Sequence, residues 1–171
     1  MKTVFILSDA NDKTYLEIIN ILKNFGFNII DASNTHIVQS NRFVIKVNSN
    51  TNISAKNATL LVLNKTKTQK ISIDSSIKGI CESSNQNALN ILKHNNIPSI
   101  VCGTSSTDTI TFSSITDDKA LISVQRQIKT TNGRIIEPCE IAIKITHKCS
   151  NSAVICACSV LILNDISITQ I

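Results

Sequence analysis

The sequence predicts an α/β domain: a three-layer, open, mostly parallel sheet with an antiparallel β-hairpin extension toward the carboxyl end. Three observations carry that prediction. Short runs at residues 3–7 and 58–63, apolar but for Thr3 and Thr59, are what strands buried on both faces show. They alternate with helix-period apolar stripes at residues 15–25 and 86–95. After Gly103 the helical rhythm gives way to strands punctuated by turn signals. A chain of 171 residues at 42% hydrophobic suits one domain, residues 1–171, with a full core.

Taken in order, residues 3–7 form the first strand. Tyr15, Leu16, Ile18, Ile19, Ile21, Leu22 and Phe25 follow at helical spacing, and Gly26 falls where a left-handed residue ends a helix. Residues 27–30 return as a strand, completing a β-α-β unit. The polar, Asn-rich stretch 31–56 holds one alternating strand at 42–47, with Phe43, Ile45 and Val47 on one face. Residues 58–63 and 76–81 are further strands. Ser84 or Asn85 caps a helix over 86–95, striped by Ala88, Leu89, Ile91 and Leu92. Pro98 interrupts the chain before a strand at 99–102. Residues 109–115 and 120–129 read as β, joined by a turn at Asp117-Asp118. Asn132-Gly133 marks a hairpin returning through 134–136, and a strand resumes at 139–146. Ser150 or Asn151 caps a last helix to Leu163, apolar nearly all round and so buried.

The chain has four glycines, Gly26, Gly79, Gly103 and Gly133, and no two lie near one another. That excludes G-x-G-x-x-G, a full P-loop and G-x-S-x-G. The loop after the first strand, Ser8-Asp9-Ala10-Asn11-Asp12-Lys13-Thr14, is the informative one. Lys13-Thr14 stands between strand and helix, where a P-loop has its Lys-Thr. A phosphate cradle works through backbone N–H groups that glycines free to point inward. Here Asp9 and Asp12 stand in that place, and two carboxylates repel the anion. Either is better suited to bind the helix amino terminus itself.

The remaining reactive side chains read as structural. His147, Cys149, Cys156 and Cys158 are enough ligands by count for zinc, with His147, Cys149 and Cys158 as the trio to consider. Cys156 and Cys158 are two apart on a predicted helix and point to different faces, as core thiols do. No metal site is expected, and no catalytic residue. The net charge of +5 is spread, its one local cluster being Lys65, Lys67 and Lys70, and aromatic residues are 4% of the chain. Nucleic acid is therefore not an expected partner. Six cysteines with no secretory h-region read as reduced thiols in a cytoplasmic protein, and no apolar run reaches the roughly 20 residues of a membrane span.

The order of elements resembles the central, ATP-binding, Rossmann-like domain of the Mur ligases, the amide-bond synthetases of peptidoglycan precursors, and of their folylpolyglutamate synthetase relatives. Residues 3–14 look like that family's strand and Gly-Thr-Asn-Gly-Lys-Thr loop. Asn11, Lys13 and Thr14 match, while Asp9 and Asp12 replace the two glycines. His147-Lys148-Cys149-Ser150-Asn151-Ser152-Ala153 is similar to the family's His-Asn-x-x-Asn-Ala helix start, keeping His147 and Asn151. The segments matching the family's Asp-His-Leu-Asp and Asn-x-Asp-Asp elements read Asn64-Lys65-Thr66-Lys67 and Glu82-Ser83-Ser84-Asn85, with none of its metal-binding residues. The resemblance implies a degenerate single-domain relative that has kept the scaffold and lost the phosphate loop. The expectation is a non-catalytic or regulatory protein without a cofactor, acting through a protein or small-molecule partner. The alternative is a nucleotide- or phosphate-binding module, or enzyme, using Asn11, Lys13, Thr14 and Asn151. Late edge strands offer a route to homo-oligomers.

Overall fold

The computed structural model describes residues 1–9, 12–31, 35–36, 39–47, 52–63 and 72–171. Among them a ten-stranded sheet forms the centre of an α/β architecture. Its elements in chain order are β1 (Lys2–Leu7), α1 (Lys13–Asn24), β2 (Asn28–Ile30), β3 (Thr35–His36), β4 (Arg42–Val47), β5 (Asn52–Ile53), β6 (Ala58–Val62), β7 (Ser72–Ile73) and β8 (Lys78–Glu82). They continue with α2 (Gln86–His94), β9 (Ser99–Gly103), β10 (Ile110–Ile115), β11 (Lys119–Val124), β12 (Ile128–Lys129), β13 (Ile135–Ile136), β14 (Cys139–Lys144) and α3 (Asn151–Leu163). The strand order is β14-β11-β10-β9-β8-β6-β1-β4-β2-β3. From β10 to β2 neighbouring strands are parallel; β3, β11 and β14 are antiparallel to their neighbours.

Side-chain alternation splits the core in two. On β1, Val4 and Ile6 face one cluster, which takes in α1 and α3. Phe5 and Leu7 face the other, which takes in α2 and the small β5–β7 pair. The sheet is therefore sandwiched between helices, as its apolar runs predict. Residues 153–163 of α3 are all buried, including Cys156, Cys158 and Ser159. Gly79 lets α2 lie directly on β8, since a Cβ there would meet Leu92 Cδ2 at 2.6 Å.

Several local expectations need correction. The first β-α-β is present with one strand inserted, because β4 lies between β1 and β2 and bonds both. The stretch 31–56 contributes β3 and β5 as well as β4, and β4 buries residues on both faces rather than one, Val44 in the cluster with α1 and α3 and Val47 in the cluster with α2. The run 120–129 is two strands: β11 ends at Val124, and β12 pairs instead with β13 in a separate ribbon around Gly133, whose φ is +89°. The strand expected at 76–81 begins at Lys78, after a turn in which Asp74 accepts from Ser76 N. Leu16, placed in the α1 stripe, is 47% exposed. Along the β14 edge, Lys144 bonds Thr169 and Ile171, so part of that edge is already occupied. No helix of the described residues is long and apolar enough to cross a membrane.

Candidate functional site

The parallel strands β1, β6, β8 and β9 end at one edge of the sheet, where ligands bind in open α/β folds. Both α1 and α3 begin there. Asp12 supplies the N-cap of α1: its Oδ1 accepts from Thr14 N at 2.8 Å and from Tyr15 N at 3.3 Å. These are the amides that a bound phosphate would use. The carboxylate thus takes the role expected of Asp9 or Asp12. Lys13 points outward, 89% exposed, with Nζ 3.9 Å from Glu17 Oε1 one turn on. Thr14 is half-buried in the first turn. Asn11 lies outside the described residues, as do Lys65, Lys67 and Lys70.

Glu17 links the two helix starts. Its Oε2 accepts from Ser150 N at 2.9 Å and Ser150 Oγ at 2.5 Å, while Ser150 Oγ in turn caps α3 by accepting from Ala153 N. Burial alone would raise the Glu17 carboxyl; the two Ser150 bonds and the Lys13 charge outweigh it and hold the group below its ordinary range. Asn151 therefore sits in the turn beside the Lys13–Glu17 pair, on the wall of a cavity of about 330 Å³ shared with Asp117, His147 and Lys148. The Ser152 hydroxyl donates to Glu82 at the end of β8.

The loop after Gly103 is anchored by Asp108, which the sequence did not single out. This buried carboxylate accepts from Ser83 Oγ and Ser105 N, both at 3.0 Å. A Cβ on Gly103 would come within 2.5 Å of Asp108 Oδ2. The signal was a short one, an Asp three residues after a Ser, as in many turns. Asp12, Glu17, Glu82 and Asp108 make this an acidic edge whose carboxylates are already hydrogen-bonded by the protein.

The zinc trio does not assemble. Cys158 is buried within α3, the Cys149 thiol donates to the His147 carbonyl, and no group of three His, Cys, Asp or Glu able to hold a metal occurs among the described residues. Cys102 and Cys156 bring their sulfurs to 3.9 Å in the core, and all six cysteines are free thiols. Burial raises Cys81 and Cys158 to about 12, which makes them inert as nucleophiles. No family model matches the chain, and no curated protein matches its sequence.

Proposed function

We propose that this is a non-catalytic cytoplasmic protein on a Mur-ligase-like scaffold, acting by binding a protein or small-molecule partner, with its first-helix loop closed to phosphate. The observation that carries this reading is the Asp12 cap. To seat a phosphate there, Asp12 must release the Thr14 and Tyr15 amides and then remain as a like charge. At about 4 Å that repulsion is roughly 4 kcal/mol at an effective dielectric of 20. Lys13 cannot offset two such terms, from Asp9 and Asp12, and its charge is already shared with Glu17. Six unpaired thiols support the cytoplasmic part.

Calorimetric titration with ATP–Mg tests the reading. The expected result is no binding that depends on Lys13; micromolar binding abolished by Lys13→Ala would overturn it. One observation favours the alternative, a nucleotide-binding loop of altered type: the Lys13 side chain is 89% exposed and held only by a 3.9 Å pair with Glu17. That alternative requires ordered anion density at the amino end of α1 in a crystal grown with nucleotide.

A further inference from the structure

The opposite edge of the sheet has the opposite character. There β8 and β9 begin at Lys78 and Ser99, and the β12–β13 ribbon stands beside them. Two adjoining cavities of about 270 and 340 Å³ open between these elements and share Lys78 and Lys129; Arg126 lines the first. No carboxylate lines either.

The three cations have no ion-pair partner among the described residues, whose salt bridges are Lys2–Asp165, Lys13–Glu17 and Arg134–Asp165. The Lys78 ammonium donates to the Lys129 carbonyl at 2.5 Å, and Arg126 donates one bond to the Thr107 carbonyl at 2.8 Å. A guanidinium has five N–H donors, so most of the Arg126 fork is left for a ligand. Three carboxylates stand behind the rim. Asp165 accepts from Thr130 and Asn132, but Arg134 and Lys2 already balance its charge. Glu137 accepts from Gln127 at 2.8 Å. Asp74 accepts from Ser76 N beside the second cavity, so three cations face two rim carboxylates, Asp74 and Glu137.

Burial, reinforced by the Lys129 charge, holds the Lys78 ammonium below its ordinary range. Like charges gathered in a concave groove raise each other's energy, and an anion relieves that. We propose that this groove binds the phosphate group of a small-molecule ligand, Arg126 presenting its fork and Lys78 and Lys129 supplying charge. The guanidinium fork suits carboxylate and phosphate alike, and phosphate fits better because it brings close to two negative charges to three cations. The cavities have the size of a small-ligand subsite. The site lies across the sheet from α1 and shares no residue with the Asp12 loop.

The test is titration of the full chain with inorganic pyrophosphate in about 0.15 M salt, where diffuse attraction is screened beyond ~8 Å. Amide shifts locate the site and calorimetry gives the affinity. The expected result is saturable binding with shifts at Thr109, Gln127 and Thr130. Arg126→Ala and Lys129→Ala, at exposed positions that leave the core intact, should each weaken it about tenfold or more. Lys13→Ala and the control Lys93→Ala should leave it unchanged. Absence of saturable binding, or equal loss in Lys93→Ala, overturns the proposal. So does an oligonucleotide that binds far more tightly than pyrophosphate with shifts spreading beyond the groove. Shifts confined to Thr14, Tyr15 and the rest of α1 overturn it too, and with it the closed-loop reading; silence at both places leaves that reading standing.

Discussion

Asp12 and Asp165 both sit at helix ends, one before α1 and one after α3, and each organises its neighbours through a single carboxylate. Removing the cap oxygens in Asp12→Ala should cost about 1 kcal/mol, read as a lower urea midpoint at unchanged slope; Asp12→Asn should keep most of it. At Asp165, burial would raise the carboxyl, but hydrogen bonds from Thr130 and Arg134 and the charges of Arg134 and Lys2 hold it low. Glu17 is held low in the same way. A depressed carboxylate stabilises the fold above its ordinary value, here 3.8 for Asp and 4.5 for Glu, and the contribution is lost as pH falls through the lower folded value. Asp165→Asn and Glu17→Gln should therefore flatten the acid limb of a stability–pH curve while changing its neutral plateau downward. Gly103→Ala should destabilise by about 1–3 kcal/mol through collision with the buried Asp108 and Ser83. Capping residues were legible in the sequence because their partners are two or three residues away. Asp165 and Asp108 were not, since their partners Lys2, Thr130 and Ser83 come from distant parts of the chain.

At the scale of elements, the three helices of the described residues end alike. Gly26, Asn96 and Asp165 adopt φ of +74°, +53° and +58°. In each the next residue's amide reaches back to the same helical carbonyl position: Phe27 to Leu22, Ile97 to Leu92 and Ile166 to Leu161. This is the Schellman arrangement, and only one of its three left-handed residues is glycine. Gly26→Ala should cost about 1–2 kcal/mol, whereas Asn96→Gly should change stability by less than about 0.5 kcal/mol; denaturation of the two variants compares them directly. Sequence pattern located the first of these ends from its glycine but offered no such mark for Asn96 or Asp165. Among the thiols, Cys139 is exposed and should react first with a disulfide reagent, Cys149 more slowly. Cys81, Cys102, Cys156 and Cys158 should react only as the protein unfolds. Burial of α3 was legible because its apolar residues surround the whole helix. The division of 120–129 was not, since both halves carry the same β pattern and only the partner strand differs.

For the molecule as a whole, the sheet's two edges differ in sign: carboxylates satisfied by protein donors where the strands end, cations without ion pairs where β8 and β9 begin. Pattern in the sequence revealed the layers, because apolar runs and stripes are local. It could not reveal strand order, which depends on pairings between segments far apart. The place of β4 between β1 and β2 has a consequence for how the chain acquires its structure. Residues 2–30 cannot close a sheet of their own, since β2 has no bond to β1 until residues 42–47 enter between them. Non-local steps of this kind carry loop-closure entropy and slow folding. Stopped-flow refolding should find Val44→Ala slowing the folding limb, while Ile122→Ala in the more local β10–β11 hairpin acts chiefly on unfolding. Strand β4 is then the keystone of assembly, and the amino-terminal helix and strand must wait for a segment synthesised after them.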